Sequence, residues 1–326
     1  MTITEIARLA EVSVSAVSRY LNQGYVSEEK ARRIKEVIEK NGYQPSKQAQ
    51  SLRTKKSKVV GVILPKISSE SIARMASGIS QVLSDKGYQM LLTSTENDPK
   101  KEIQYLQLLN HNPVDGIIFS ASVFDKAHRE VLQKLQVPVV IVSQRFEGCA
   151  CVYHDDYGAA AAMTQLLIAR GRKRIAHIGV TQKDEAAGRS RTRAYQDALA
   201  GAGLLAPASM IEETGFTTDD GYEGMKRLWE RHPDLDGVFC ATDTLAVGAL
   251  EYLKEAGRKV PEEISVTGIG HNRMSRVITP KLTTAHLHYR TSGVEAAKML
   301  LEMMEQEQTV EKQLKLGFEI VEAESV

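Results

Sequence analysis

Val12-Ser13-Val14-Ser15-Ala16-Val17-Ser18-Arg19-Tyr20-Leu21-Asn22 is the stretch that decides how the rest of the chain is read. Ser13 offers a capping hydroxyl, and Val17 and Leu21 recur at helical spacing, so a helix is predicted over 14–22. Val14, Ser15, Ser18 and Arg19 fall towards its exposed side. Small hydroxyl residues at a helix N-terminus, with an arginine one turn later, suit entry into a DNA major groove. Upstream, Thr2-Ile3-Thr4-Glu5 reads as a capping box that opens a first helix, with Ile6, Leu9 and Ala10 expected on its inner face. Glu11-Val12-Ser13 is the turn between the two. Downstream, a third helix is expected from Ser27 through Ala31, Ile34, Val37 and Ile38 to a stop at Asn41-Gly42. Together they make a helix-turn-helix headpiece over residues 1–45.

Charge separates this headpiece from the remainder. Residues 1–58 hold 12 Lys+Arg against 6 Asp+Glu, a net of +6, whereas the rest holds 30 against 35, a net of −5. From Lys40 to Lys58 there are six basic residues and no acidic one. Directly after a helix-turn-helix, such a run is read as a phosphate-contacting linker rather than a solvated tether.

At 326 residues and 42% hydrophobic content the chain has room for a headpiece plus one large or two medium domains. The sequence has no apolar run of membrane-spanning length and its N-terminus is an amphipathic helix, so a cytoplasmic protein without membrane contact is expected. Cys149, Cys151 and Cys240 suggest neither a disulfide framework nor a zinc site.

Beyond Lys58, short β-rich runs alternate with helical segments. Strands are expected at Val59–Leu64, Met90–Leu92, Gly116–Phe119 and Val137–Val142, with helices between them. A second series begins with a helix at Gly158–Arg170. It continues through strands at Arg174–Gly179, near Met210, at Gly237–Ala241 and at Ile264–Gly268, separated by helices that include Arg191–Ala202. This alternation marks doubly wound parallel sheets. Two series imply a two-lobed α/β core, with ligand chemistry at the C-terminal strand ends in the cleft between lobes. The lobes are expected to comprise residues 58–160 plus about 291–320, and residues 161–290; residues 46–57 form a hinge helix and linker.

The chain resembles the lactose/galactose repressor (LacI/GalR) family over nearly its whole length. The phrase Val12–Asn22 resembles the family's recognition helix, and Tyr43-Gln44-Pro45-Ser46-Lys47-Gln48-Ala49-Gln50-Ser51-Leu52 its hinge. Cys240–Ala249, Val260–Val266 and Pro280-Lys281-Leu282-Thr283-Thr284 are similar to its later signatures. The resemblance implies a two-lobed core like that of periplasmic binding proteins, a homodimer, and a near-palindromic operator. It implies operator contacts from Thr2, Ser13, Val14, Ser15, Ser18, Arg19, Asn22 and Tyr43, and from Ser46, Ala49, Gln50, Leu52 and Arg53 in the hinge. Leu52 would wedge into a central base step. Ser15 could select sequence or touch phosphate alone. Glu11 departs from the glycine that many relatives carry in the turn; a positive φ there costs roughly 1 kcal/mol.

For the effector, the resemblance points to strand ends: Asp155 or Asp156, Arg191, and Thr242-Asp243. Carboxylates and guanidinium groups suit vicinal hydroxyls or phosphate oxygens. After Ile264–Ile269 the phrase Gly268-Ile269-Gly270-His271-Asn272 lacks the aspartate many relatives use, which weakens a simple monosaccharide and leaves His271 as a rim candidate. Lys66 and Arg145, each ending a strand, could serve a phosphate. Several segments are similar to the family's sucrose and trehalose operon repressors. A disaccharide or its phosphate is therefore expected, sucrose type ahead of trehalose type. No cofactor is expected. His271, His286 and His288 lack accompanying carboxylates or cysteines, so no metal is assigned.

The sequence contains neither a phosphate-binding loop nor a recognisable nucleophile–base arrangement, which argues against a sugar-metabolising enzyme with an accessory DNA-binding head. The headpiece argues against a transport-associated sugar binder. A global regulator requiring a phosphoprotein partner stays open within the regulator class.

Overall fold

The computed structural model describes residues 1–22, 24–43, 56–112, 114–121, 123–306 and 311–326. The hinge expectations at Ser46, Ala49, Gln50, Leu52 and Arg53 lie outside these residues. The chain divides into two compact units, Met1–Ser57 and Lys58–Val326.

The first unit contains α1 (Ile3–Leu9), α2 (Val14–Leu21) and α3 (Glu28–Asn41). The capping box is formed: the Glu5 amide donates to Thr2 Oγ1 at 3.3 Å and the Thr2 amide to Glu5 Oε2 at 2.7 Å. Ser13 Oγ accepts from the Ala16 amide at 3.2 Å and so opens α2. Ile6, Ala7, Ala10, Val17 and Ile34 form the small core. Leu9, expected inside, is half exposed. The face centred on Ile6 and Ala10 leans towards Ala7, three residues before Ala10, and this turns Leu9 onto the flank. Glu11 does take the left-handed conformation, at φ 51°.

The second unit holds two six-stranded sheets. The first is built from β1 (Val59–Leu64), α4 (Glu70–Asp85), β2 (Gln89–Ser94), α5 (Pro99–His111), β3 (Gly116–Ser120), α6 (Lys126–Leu132), β4 (Val139–Ser143) and β5 (Ala150–His154). The second begins with α7 (Asp156–Ala169), β6 (Ile175–Val180), α8 (Arg191–Gly201), β7 (Ile211–Thr214) and α9 (Thr218–Arg231). It continues with β8 (Gly237–Cys240), α10 (Asp243–Glu255), β9 (Ser265–Ile269), α11 (Arg273–Val277) and β10 (Thr283–Leu287). The chain then returns through α12 (Tyr289–Gln306) and β11 (Gln313–Leu316) before β12 (Phe318–Val321). The sheet orders are β11-β5-β4-β3-β1-β2 and β12-β10-β9-β8-β6-β7. Among the described residues every pairing is parallel except β10 with β12.

Apolar strands such as β1 and β6 are buried on both faces because helices cover each side. Val60, Val62 and Ile118 pack beneath α4 and α12, and Ile63, Ile117 and Phe119 face the other layer. In the second sheet Val238 and Val266 lie on one side, and Phe239 and Ala285 on the other.

Two boundaries differ from expectation. Ala159, Ala160, Met163 and Leu167 of α7 join Ile175 and Phe239 in the second sheet's core, so the crossover follows His154 rather than residue 160. At the other end, Phe318–Val321 pairs with β10, so the chain returns to the second sheet before residue 320. Alternating polarity in so short a segment does not reveal which sheet edge it will meet. α12 belongs with the first sheet because it lies directly on α4. A Cβ at Gly293 would stand 2.1 Å from Met75 O, and one at Gly78 2.2 Å from Arg290 O. Among the described residues, no helix is long and apolar enough to cross a membrane.

Candidate functional site

Each sheet carries the same inner order, 2-1-3-4-5, with β1 and β6 as the strands from which the winding reverses. Crevices form outside the C-terminal strand ends at such reversals. A cleft of about 490 Å³ lies there, lined from the first sheet by Lys66, Ser120, Ser143 and His154, and from the second by Asp184, Arg191, Thr242 and Asp243.

At its floor Arg191, the first residue of α8, donates from Nε and Nη2 to Asp156 Oδ1 at 3.0 and 2.6 Å. Nη1 donates to Ala241 O at the end of β8. Asp156 opens α7, so two helix starts are tied to one strand end. Burial disfavours the guanidinium charge, but Asp156 and the hydroxyl of Tyr289 more than offset this and hold Arg191 protonated. A π-helical turn, Glu185–Ser190, precedes α8 and was not foreseen in the sequence. Such turns concentrate at functional sites. Its N-cap is Asp184, which accepts from the Ala187 amide at 2.8 Å.

Asp243 opens α10 behind the cap of Thr242, whose Oγ1 accepts from the Leu245 amide at 3.3 Å. The Asp243 carboxylate accepts from the Asn272 amide at 2.9 Å and from the Thr284 hydroxyl. It stands beside Gly270 of the Gly268–Asn272 phrase, which carries no aspartate: a Cβ there would be 3.5 Å from Asp243 Oδ2. Burial pushes the carboxyls of Asp243 and Asp184 up to about 6. Among the described residues neither forms an ion pair with a basic side chain.

The first sheet supplies neutral polar groups. Ser120 ends β3, Ser143 ends β4 and His154 ends β5, in adjacent strands. Ser120 Oγ and Ser143 Oγ are 3.2 Å apart. Ser143 holds φ 75°, a conformation that costs of order 1–3 kcal/mol in a non-glycine residue and gathers at ligand sites. His154 packs edge-on against Tyr289, with ring centroids 5.0 Å apart. At the rim, Arg74 of α4 bonds Glu70 Oε1 at 2.7 Å and reaches across to His271 O at 2.8 Å. Glu70 Oε2 accepts from the Arg273 amide at 2.9 Å. The two lobes are thereby clasped at the mouth.

Of the expected effector residues, Lys66, Asp156, Arg191 and Asp243 come together in the cleft. Asp155 does not line it: Asp155 caps α7 through the Gly158 amide at 3.1 Å and pairs with Lys315 at 3.0 Å. Nor does Arg145, which lies on the surface and donates to Gln313 Oε1 at 2.8 Å, because the loop after β4 turns towards β11. His271 stands just outside the lining, its Nδ1 3.1 Å from His286 Nδ1. His286 and His288 stack edge-on beside it, 5.0 Å between centroids. Asp184, His154, Ser120, Ser143, Tyr289 and the Glu70–Arg74 pair were missed. The signal for Ser120, Ser143 and His154 was present, since each is the polar residue that ends an apolar strand.

On the headpiece, Val14, Ser15 and Arg19 are exposed along one side of α2, with Ser18 half-buried beside them and Asn22 exposed at its end. Arg19 Nε donates to Ser15 O at 3.4 Å, and Ser13 Oγ and Ser15 Oγ lie 2.9 Å apart. Thr2 is exposed at the start of α1, and Tyr43 packs partly against the headpiece core. Trp229 likewise packs against the second sheet's core, with the Arg258 guanidinium 4.8 Å over its ring.

Comparison with known proteins agrees with both units. Residues 2–46 match the profile "Bacterial regulatory proteins, lacI family", and residues 164–326 match "Periplasmic binding protein-like domain". The transcriptional regulator RegA of Clostridium saccharobutylicum is 30% identical over 327 residues, covering 99% of this chain and 98% of that protein. The sucrose operon repressor of Staphylococcus xylosus is 30% identical over 317 residues, covering 97% and 98%. A structure of the transcriptional regulator CelR with cellobiose aligns over 100% of both chains, with TM-score 0.78 and 27% identity. The chain belongs to the lacI family of bacterial regulatory proteins and is a DNA-binding transcriptional regulator, not an enzyme.

Proposed function

We propose that this regulator represses a sugar-utilisation operon and is released from its operator by a disaccharide. The carrying observation is the cleft floor, where Asp156–Arg191, Asp243 and Asp184 face the Ser120–Ser143 row across about 490 Å³. Carboxylates, a guanidinium edge and hydroxyls within one concave site suit a ligand of many hydroxyl groups. The sucrose operon repressor and the cellobiose-bound regulator among its relatives favour two sugar rings. We retain sucrose type ahead of trehalose type.

Charge separates the free sugar from its phosphate. Among the described residues Asp184 and Asp243 form no ion pair with a basic side chain, so two acidic groups of the cleft would face a phosphate. An unphosphorylated sugar is therefore preferred. Lys66, just past the end of β1, is the cleft residue whose removal tests a phosphate. Titrating operator release with matched disaccharide and disaccharide phosphate, on the wild type and on Lys66→Ala, tests this. Release by the free sugar with both proteins is expected; release only by the phosphate, lost in Lys66→Ala, reverses the preference.

The regulator acts in the cytoplasm as a homodimer on a near-palindromic operator. Thr2, Ser13, Val14, Ser15, Ser18, Arg19, Asn22 and Tyr43 serve the half-site, while Ser46, Ala49, Gln50, Leu52 and Arg53 form the hinge contact. Residues 46–57 link this headpiece to β1, so movement of the first lobe reaches the hinge directly. To shift operator occupancy, the effector must favour one arrangement of the lobes by a few kcal/mol, since equal affinity for both shifts nothing.

A further inference from the structure

His154 is 4% exposed, lines the cleft, and has a ring nitrogen, Nε2, with no hydrogen-bond partner among the described residues. A buried polar atom left unmatched is unfavourable, and native chains seldom keep one without a use. Its place is informative. β3, β4 and β5 are neighbours, and Ser120, Ser143 and His154 are their last residues. Ser120 and Ser143 are engaged with one another at 3.2 Å, whereas His154 Nε2 is unspent. Burial lowers the affinity of the ring for a second proton and outweighs the Asp156 charge, which acts the other way. The ring is therefore neutral and can give or take one directed hydrogen bond.

We propose that His154 is a specificity-determining residue of the effector site, its Nε2 bonding one hydroxyl of the bound sugar from the first lobe. Asp156, Arg191, Asp184 and Asp243 all approach from the second sheet's side of the cleft. A ligand held by those groups alone would be bonded from the second lobe only. His154 makes the two lobes read the same molecule. The inference rests on the proposal that the cleft takes a sugar.

The test uses the full-length protein, with His154→Leu and His154→Gln. Calorimetric titration with sucrose, trehalose and cellobiose is combined with thermal unfolding of each protein without sugar. The wild type is expected to bind at least one of the three, and His154→Leu to bind it about tenfold more weakly or worse, the size of one lost hydrogen bond to a buried partner. His154→Gln, which keeps an amide for the sugar, should recover part of the loss. The Tm of sugar-free His154→Leu and His154→Gln should fall alike, since both lose the ring's contact with Tyr289 and its bond to the His288 backbone, so the difference in sugar affinity between them reports on Nε2. Equal sugar affinity in the wild type and His154→Leu overturns the inference alone, as does an affinity weakened equally in both variants. A wild type that binds none of the three sugars overturns the reading of the cleft and the inference with it.

Discussion

Arg191 and Asp156 are partners of one another. Both Nε and Nη2 of the guanidinium donate to Oδ1 of the carboxylate, with the side chains only 5% and 7% exposed. Neither is a free arm waiting for a sugar; the pair is part of the wall that fixes the starts of α7 and α8.

Arg191→Ala should therefore do more than abolish the effector response. It leaves the Asp156 carboxylate buried without its cation, which costs about 3–5 kcal/mol. Denaturant unfolding should show that loss. The double variant Arg191→Met/Asp156→Leu should recover most of the stability and none of the response in operator-release assays. A stable Arg191→Ala that releases operator normally would remove the pair from both roles.

A second prediction concerns pH. His128 lies buried between Glu102, with Nε2 3.0 Å from Oε2, and Asp125, with Nδ1 2.9 Å from Oδ1. Burial alone would discharge the ring, but the hydrogen bonds to the two acids outweigh it and raise its pKa above the usual 6.5. A raised folded-state value stabilises fully below the unfolded-state value and is lost as pH rises through the folded one. The stability difference between the wild type and His128→Gln should be largest near pH 5.5 and narrow by pH 9. A gap that widens with pH would mean that the ring is neutral.

The contact of α4 with α12 predicts a packing effect. At Gly293 an added methyl would meet Met75 O at 2.1 Å, a main-chain atom that cannot rotate away. Gly293→Ala should cost about 1–3 kcal/mol or more by overpacking. Headpiece binding to a single half-site, measured on the same protein below the unfolding transition, should stay unchanged. A Gly293→Ala protein as stable as the wild type would show that the two helices can separate freely.

On the headpiece, Arg19 is exposed beside Val14 and Ser15. Arg19→Ala should weaken operator binding by about 1–3 kcal/mol while leaving the weak binding to random DNA nearly intact. Equal losses on both DNAs, with a shallower salt dependence, would make it a phosphate contact instead.

Local chemistry was legible wherever a residue acts on its own neighbours. Thr2 with Glu5, Ser13 with Ala16 and Asn41-Gly42 after α3 were readable because capping is settled within one turn. The strand alternation was readable because buried parallel strands must be apolar on both faces. The strained turn at Glu11 was also visible.

The site was legible only in part, for the same reason. The strand ends, read with the family resemblance, pointed to Asp156, Arg191, Asp243 and Lys66, but could not separate Asp155 from Asp156, which are adjacent in sequence and oppositely employed. It could not show Arg145 turning away to Gln313, since their partnership spans 168 positions.

What the sequence by itself determined was the set of elements, the headpiece and the kind of surface it presents, all products of short-range periodicity and capping. What only the tertiary structure decided was which strand ends converge: Ser120, Ser143 and His154 against Asp184, Arg191 and Asp243, and the return of Phe318–Val321 to the second sheet. Those outcomes depend on how twisted sheets stack and on where the chain crosses between them. They are set by burial summed over whole layers rather than by any residue's neighbours along the chain.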